Sequence, residues 1–156
     1  MNVERVMNRD VRACRPDDTL NRAAQLMWDN ACGCVPIVSE RHQPIGILTD
    51  RDICMAAYTQ GRPLSEITVA TSMAHKVITC RTEDAVHRVI DLMRENAIRR
   101  LPVVDRDGRL RGIVSLDDLA SESLRNFRGA INRELANRLG EAFLSICAHR
   151  ARKTAR

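Results

Sequence analysis

Residues 46–52 read GILTDRD, and residues 112–118 read GIVSLDD. Both stretches share glycine, two aliphatic residues, a hydroxyl residue and, three positions further on, an aspartate. The likeness extends outward from them, because residues 7–52 align with residues 73–118 without a gap. Identical pairs include Met7/Met73, Cys14/Cys80, Arg15/Arg81, Asp18/Asp84, Met27/Met93, Pro36/Pro102, Gly46/Gly112 and Asp52/Asp118. An internal repeat of this kind predicts two structural units with the same order of secondary structure.

The first copy predicts the order β-α-β-β-α. Asp17 or Asp18 is suited to cap a helix whose apolar positions recur at helical spacing, namely Leu20, Ala23, Ala24, Met27 and Trp28. Gly61 is suited to end a second helix. The predicted elements are a short strand at 12–14, a helix that stops near 30–33, strands at 35–38 and 44–48 that form a hairpin, and a helix at 49–58.

The second copy predicts the same order. Its elements are a strand at 77–80, a helix at 84–95, strands at 101–105 and 110–114, and a helix from 116 onward. We therefore expect an α/β (α+β) fold of two β-α-β-β-α repeats, at 3–60 and 73–124, with a linker at 61–72 and a helical tail at 125–156. Each repeat is small for a core of its own, so we expect the two to bury a shared face and to leave two equivalent clefts between them.

Composition favours a protein of the cytoplasm. In 156 residues, 44% are hydrophobic and only 3% aromatic, which indicates an aliphatic core. No apolar run approaches the length of a membrane span, and the first ten residues lack the apolar segment of a signal peptide. The six cysteines mostly sit inside apolar patterns, as free buried thiols do. Cys32 and Cys34 lack the second ligand pair of a zinc site, so neither a metal nor redox chemistry is expected.

The repeated junction has two interpretations. Thr49 and Ser115 stand where a strand meets a helix, and unpaired helical N–H groups favour a phosphate there. Asp52 and Asp118 lie one turn further on, and an ionised carboxylate accepts hydrogen bonds from both hydroxyls of a ribose. A hydroxyl residue followed three positions later by an acid is, however, also a capping box. Spacing alone leaves both interpretations open.

The repeat order, the strands VPIV at 35–38 and LPVV at 101–104, and the two junctions together resemble the cystathionine-β-synthase (CBS) domain family. The tandem, at about residues 3–124, resembles a CBS pair, or Bateman module. The resemblance implies a regulatory module whose copies pack sheet to sheet with pseudo-two-fold symmetry. It also implies an adenosine-containing ligand in the clefts: AMP, ADP, ATP, NAD or S-adenosylmethionine. Carried over by position, Asp52 and Asp118 hold ribose hydroxyls, and Thr49 and Ser115 lie by the phosphate.

The two clefts are expected to differ. Arg99 and Arg100 precede the second copy's middle strand, and an arginine clamps phosphate oxygens bidentately. The alternative is that both arginines lie at a solvated strand end. The first copy has Gly33 and Cys34 at these places, and Cys32 and Gly33 are candidates for a small-residue floor under an adenine beside the Ser115/Asp118 half.

The tail is basic and amphipathic. Residues 125–156 carry eight Lys or Arg against two Glu, within a chain of net charge +5. An apolar stripe runs along it through Leu124, Phe127, Ile131, Leu135, Leu139, Phe143 and Ile146. Gly129 and Gly140 are expected to break or bend this helix. We expect the module itself or a second chain to cover the stripe, and a membrane surface or a partner helix are the alternatives.

The function predicted from the sequence is a stand-alone, non-catalytic sensor that binds an adenine nucleotide, forms a homodimer and signals to an unknown protein effector. The four histidines lie apart from one another along the chain and suggest no catalytic arrangement. The alternative function is an adaptor that binds nucleic acid, a membrane surface or a protein through the basic tail. Nucleic acid is not expected, because the tail lacks interleaved aromatic residues and helix-turn-helix punctuation.

Overall fold

A computed structural model describes residues 1–125 and 133–154. It shows a mixed α/β fold in which the predicted helices and hairpins recur in both copies and a further helix follows. The elements are α1 (Leu20–Asp29), β1 (Cys34–Val38), β2 (Pro44–Thr49), α2 (Asp50–Gln60), β3 (Cys80–Arg81), α3 (Val86–Glu95), β4 (Arg100–Val104), β5 (Leu110–Ser115), α4 (Leu116–Arg125) and α5 (Arg133–Thr154). Short 3₁₀ helices lie at Val3–Arg5, Leu64–Glu66 and Val69–Thr71.

Helix α1 begins at Leu20, so its N-cap is one residue beyond the predicted Asp17 or Asp18. Thr19 is the N-cap, and its hydroxyl accepts the N–H of Arg22 at 3.2 Å. Asp18 is not the cap, because its carboxylate accepts the N–H of Arg15 at 2.7 Å and closes the preceding turn. The predicted cap at Asp17 or Asp18 is therefore wrong. Leu20 and Ala23 of this helix are fully buried.

The predicted hairpin of the first copy is confirmed. Strands β1 and β2 pair antiparallel, with Pro36 opposite Ile47. The strand predicted at 12–14 is reduced to one parallel bridge between Cys14 and Ile37. Pairing stops there because Pro16 has no N–H to donate, and the chain turns at once.

The second copy repeats this plan with a three-stranded sheet in the order β3-β4-β5. Strand β3 is shorter than the predicted strand at 77–80. Helix α3 begins at Val86 rather than at 84, because the Asp84 carboxylate accepts the N–H of Arg81 at 2.8 Å. The same turn therefore precedes the first helix of both copies.

The segment that precedes each copy, which we call its leading segment, packs against the other copy. One compact unit consists of residues 1–9, 80–103 and 111–156, and the other of residues 10–79 and 104–110. In the first unit the N–H of Val3 donates to the Asp84 carbonyl at 2.9 Å. In the second unit the N–H of Leu20 donates to the Ile67 carbonyl at 2.8 Å. Each copy is thus completed by the segment that precedes the other copy.

Helix α5 packs on α3 and α4 within its own unit. Leu135, Ala142 and Ile146 are buried in that contact, but the stripe residue Phe143 is 49% exposed, so the module covers only part of the described stripe. Gly140 does not interrupt the helix, contrary to the expected break. The stripe residues Phe127 and Ile131, together with Gly129, lie outside the described residues. Within 1–125 and 133–154, no helix is long and apolar enough to cross a membrane.

Candidate functional site

The junction of the first copy is a complete capping box. The Thr49 hydroxyl accepts the N–H of Asp52 at 3.2 Å, and the Thr49 N–H donates to Oδ2 of Asp52 at 2.8 Å. The Thr49 hydroxyl also donates to the same Oδ2 at 2.7 Å. Two N–H groups at the start of α2 are thereby satisfied by side chains of the chain itself.

The second junction has the same geometry. The Ser115 hydroxyl accepts the N–H of Asp118 at 3.1 Å and donates to its Oδ2 at 2.6 Å. The Ser115 N–H donates to Oδ2 at 2.8 Å. The two copies therefore present one hydroxyl–carboxylate pair each, held in the same orientation relative to its own helix.

Both carboxylates keep one oxygen out of the cap. The bonds to Asp52 and Asp118 within the described residues all fall on Oδ2, although an ionised carboxylate has about four acceptor positions. Both aspartates are half-buried rather than sealed. Capping and ligand binding are therefore compatible, because Oδ2 serves the helix while Oδ1 is left to accept a hydrogen bond.

The glycines of the junction serve the protein's own packing. A Cβ at Gly112 would lie 2.6 Å from the Asn8 carbonyl oxygen, and a Cβ at Gly46 would lie 3.0 Å from the Ala74 carbonyl oxygen. Asn8 bridges to Ile113, and Ala74 bridges to Ile47. The close backbone approach that these glycines permit is made by the leading segments 7–8 and 73–74. Packing within the chain therefore accounts for both glycines.

The hairpins bring the residues before each middle strand next to the junction. The Asp50 N–H donates to the Gly33 carbonyl at 3.2 Å, and the Leu116 N–H donates to the Arg99 carbonyl at 3.0 Å. Gly33 therefore lies by the Thr49 junction, and Arg99 by the Ser115 junction. The predicted role of Gly33 and Cys32 beside Ser115 and Asp118 stays a prediction.

The two arginines face different surroundings. The Arg99 guanidinium lies 5.3 Å from the centroid of the Phe143 ring and donates to Cys147 Sγ at 3.9 Å. Its Nε is buried and has no hydrogen-bond partner in the described part of the chain. Arg99 thus holds α5, a contact that sequence spacing gave no means to find. Arg100 opens β4 and is half-buried.

Cys32 lines an open groove of about 280 Å³ on the first copy. Its neighbours there are Ala24, Met27, Trp28, Asp50 and Ile53. The prediction that Trp28 belongs to the apolar face of α1 is wrong, because its side chain is 88% exposed. The available signal was its place at the last turn of the helix, next to the polar Asp29 and Asn30.

The paired cysteines Cys14 and Cys80 belong to the core. Burial raises the pKa of Cys14 to about 11 and that of Cys80 to about 12. Both thiols are therefore protonated at neutral pH, and a protonated thiol is a poor nucleophile and metal ligand. No group of three or more candidate metal ligands occurs within 1–125 and 133–154.

Comparison with known proteins agrees with this architecture. A model of the CBS domain family matches residues 3–58 and 64–125. The uncharacterised protein MK0525 of Methanopyrus kandleri is 37% identical over 119 residues, which are 76% of this chain and 61% of that protein. The CBS domain-containing protein YhcV of Bacillus subtilis is 35% identical over 128 residues, which are 80% of this chain and 86% of that protein.

A match to an enzyme covers only its CBS region. The homoserine O-acetyltransferase of Methanosalsum zhilinae is 31% identical over 117 residues, and this chain spans 23% of its length. Among solved structures, the CBS domain pair of protein MJ0100, in complex with 5′-methylthioadenosine and S-adenosyl-L-methionine, superposes with a TM-score of 0.70. The two are 25% identical, and the match covers 78% of this chain and 94% of that one. The repeat, the folded units and these matches show that the chain belongs to the CBS domain family and carries two CBS domains in tandem.

Proposed function

We propose that this protein is a regulatory CBS pair that binds an adenosine-containing ligand and passes the binding event to a protein effector. The observation that carries the proposal is the pair of equivalent junctions, in which Asp52 and Asp118 each keep Oδ1 outside the cap. The similar MJ0100 pair is described in complex with two adenosine compounds, which supports the same ligand class here.

The carboxylates are the stronger part of the site. A ribose presents two hydroxyl donors, and each junction offers a rigidly held carboxylate that accepts a charge-assisted hydrogen bond. The hydroxyls of Thr49 and Ser115 each donate their single proton to Oδ2 of the aspartate. These hydroxyls can donate to a phosphate only when that bond breaks. The proposal therefore depends more on ribose recognition by the aspartates than on phosphate recognition by the hydroxyls.

Arg100 is the proposed phosphate contact. Arg99 is turned towards Phe143 and Cys147, so its guanidinium already has a structural task. Arg100 is half-buried one residue further along. A charged ligand such as AMP or ATP is therefore expected to gain more from this copy than adenosine does.

The remaining parts of the proposal concern chemistry and assembly. We assign no catalytic step to the chain, and we expect it to act as a homodimer, as the family resemblance implies. Helix α5 buries Leu135, Ala142 and Ile146 against its own unit, so these three residues are not available to a membrane surface or a partner helix, which favours the sensor over the adaptor.

The proposal is tested by calorimetric titration of the chain with AMP, ATP, NAD, S-adenosylmethionine and adenosine. At least one is expected to bind, and a ligand at a hundred times its Kd adds about 2.7 kcal/mol to the free energy of unfolding. Arg100→Ala should then weaken AMP about ten- to a hundred-fold and leave adenosine nearly unchanged. Arg106→Ala, which removes an exposed arginine from the β4–β5 turn, is the matched control. If none of these compounds binds at millimolar concentration, the proposal is wrong.

A further inference from the structure

One residue of the second copy, Arg99, joins the strand-to-helix junction to helix α5. Its carbonyl accepts the N–H of Leu116, the first residue of α4, at 3.0 Å. Its guanidinium lies 5.3 Å from the centroid of the Phe143 ring and donates to Cys147 Sγ at 3.9 Å, and both of these residues are on α5. The backbone of Arg99 therefore belongs to the Ser115 junction, while its side chain contacts α5.

Both proposed ligand contacts of the second copy are attached to this link. Arg100, the proposed phosphate contact, is the next residue along the chain. Asp118, the proposed ribose contact, accepts the N–H of Ser115 at 2.8 Å, and Ser115 directly precedes Leu116. A shift of the backbone at Arg99 would therefore move Arg100 through the chain and the start of α4 through the hydrogen bond.

The other polar contacts that α5 makes with its unit are weak ones. Glu141 lies 3.9 Å from Arg94, and Arg138 lies 3.9 Å from Asp91, and all four side chains are at least partly exposed. Ion pairs of this length in contact with water contribute little to stability. A cation over an aromatic ring is less sensitive to solvent when it is partly buried. The docking of α5 should therefore respond to the state of Arg99.

Stability alone does not explain an arginine at position 99. Its Nε is buried and has no hydrogen-bond partner among residues 1–125 and 133–154. A buried donor without an acceptor lowers the stability of the fold. An aliphatic side chain at this position could cover the Phe143 ring without that cost. A role in ligand binding would account for the arginine.

The first copy has the same junction without this link. Gly33 is the equivalent of Arg99, and its carbonyl accepts the N–H of Asp50 at 3.2 Å, so the backbone half of the arrangement is kept. Glycine has no side chain with which to contact another element. Helix α5 also lies beyond residues 3–58 and 64–125, which the family model matches. The link is therefore an addition to the repeat, and the first junction is its internal control.

We propose that Arg99 is a positioning residue that couples nucleotide binding at the Ser115 junction to the docking of α5. This inference rests on the proposed function, in which that junction binds an adenine nucleotide. While α5 holds the Arg99 side chain, the backbone at 99–100 has less freedom to lose when Arg100 meets a phosphate. Coupling of this kind is reciprocal, so a nucleotide at this junction stabilises the docking of α5 by the same factor. Helix α5 thereby responds to the second junction and not to the first.

Variants of Phe143 test the coupling from the α5 side, with AMP as the probe. Phe143→Leu removes the ring and should weaken AMP about two- to thirty-fold by calorimetry, although residue 143 is not a proposed ligand contact. Phe143→Tyr keeps the ring, and because Phe143 is 49% exposed the added hydroxyl can reach water, so this variant should keep the parent affinity. Leu144→Ala, at the neighbouring position that is 69% exposed, is the control and should change nothing.

Hydrogen exchange of the α5 amides tests the reverse direction. Saturating AMP should slow this exchange in the parent chain. Asp52→Asn, at the first junction, should keep that protection, and Asp118→Asn should lose it at the same AMP concentration. In Phe143→Leu, saturating AMP should still protect the start of α4 but no longer protect α5. A purely structural contact between Arg99 and α5 would give the same α5 exchange with and without AMP.

Failure of this inference can be distinguished from failure of the proposed function. If AMP binds the parent chain but leaves α5 exchange unchanged, or binds Phe143→Leu with the parent affinity, the coupling is wrong and the proposed function stands. The coupling is also wrong if Asp52→Asn removes the protection of α5 and Asp118→Asn keeps it. If AMP does not bind the parent chain, the coupling is wrong, and the other compounds of the titration series still decide the proposed function. If Phe143→Leu fails to fold, exchange in the parent chain and the two aspartate variants decides.

Discussion

Replacing Gly112 by alanine tests the exchange of leading segments. The added methyl group would lie 2.6 Å from the Asn8 carbonyl oxygen and 3.0 Å from Met7 Sδ. A backbone oxygen cannot move aside as a flexible side chain can, so the bridge between Asn8 and Ile113 must open or shift. Overpacking of this kind costs about 1–3 kcal/mol. For a domain of this size, that corresponds to a fall of roughly 3–10 °C in Tm.

Two other glycines calibrate the result. Gly46→Ala should cost less, because its nearest contact is the flexible Met73 side chain at 2.8 Å and the Ala74 oxygen lies at 3.0 Å. Gly140→Ala has open space around the new methyl group within α5 and should stabilise by about 0.5–1 kcal/mol. The assay is thermal unfolding by circular dichroism with matched urea titrations. If Gly112→Ala melts at or above the parent chain, residues 7–8 do not pack against β5 as described.

Other perturbations address the caps, the buried thiols and the α5 contact. Ser115→Ala should lower the free energy of unfolding by about 0.5–2 kcal/mol, because it removes the N-cap of α4. Ser121→Ala, at an exposed position of the same helix, should not lower it. Urea titration compares the two variants, and equal effects would contradict the role of Ser115 as the cap. Burial raises the pKa of Cys14 to about 11 and that of Cys80 to about 12, against 9.0 for a free thiol. The stability that these protonated thiols contribute is therefore fully present below pH 9 and is lost as pH rises towards 11–12. Urea midpoints should fall between pH 8 and pH 10, and a midpoint that rises at pH 10 would contradict this. Arg99→Ala should speed hydrogen exchange in α5 and leave α1 unchanged, since the lost cation–π contact is worth about 0.5–2 kcal/mol, and unaltered α5 exchange would show that the contact does not hold the helix.

Most of the local structure could be predicted from the sequence, because the repeat presents the same pattern of residues twice. The hairpins and the Gly61 end of α2 depend on neighbours in the chain, and each was predicted correctly. The cap of α1 was misplaced by one residue because Asp18, Thr19 and Asp17 all suit a cap by type. Only the competing bond from the Arg15 N–H to Asp18 decides among them.

What the sequence could not show depends on contacts between distant segments. Gly112 is explained by Asn8, which lies far away in the chain, and Arg99 is explained by Phe143. No periodicity or motif in the sequence predicts either of these two contacts. The junctions are an intermediate case. The capping box could be predicted from spacing, but which carboxylate oxygen makes the cap depends on the orientation of each side chain in the fold.

The central claim, that the junction aspartates hold an adenosine-containing ligand, is tested most directly by asparagine at these positions. In Asp118→Asn the amide oxygen can still accept the Ser115 N–H and keep the cap, but the NH₂ group that replaces Oδ1 cannot accept a ribose hydroxyl. The same holds for Asp52→Asn at the Thr49 junction. Calorimetry with whichever of AMP, ATP, NAD or S-adenosylmethionine binds the parent chain should show the double variant weakened at least about ten-fold, with an unchanged Tm in the absence of ligand. Full affinity in a double variant of unchanged Tm would mean that the two carboxylates only cap their helices, which contradicts the account.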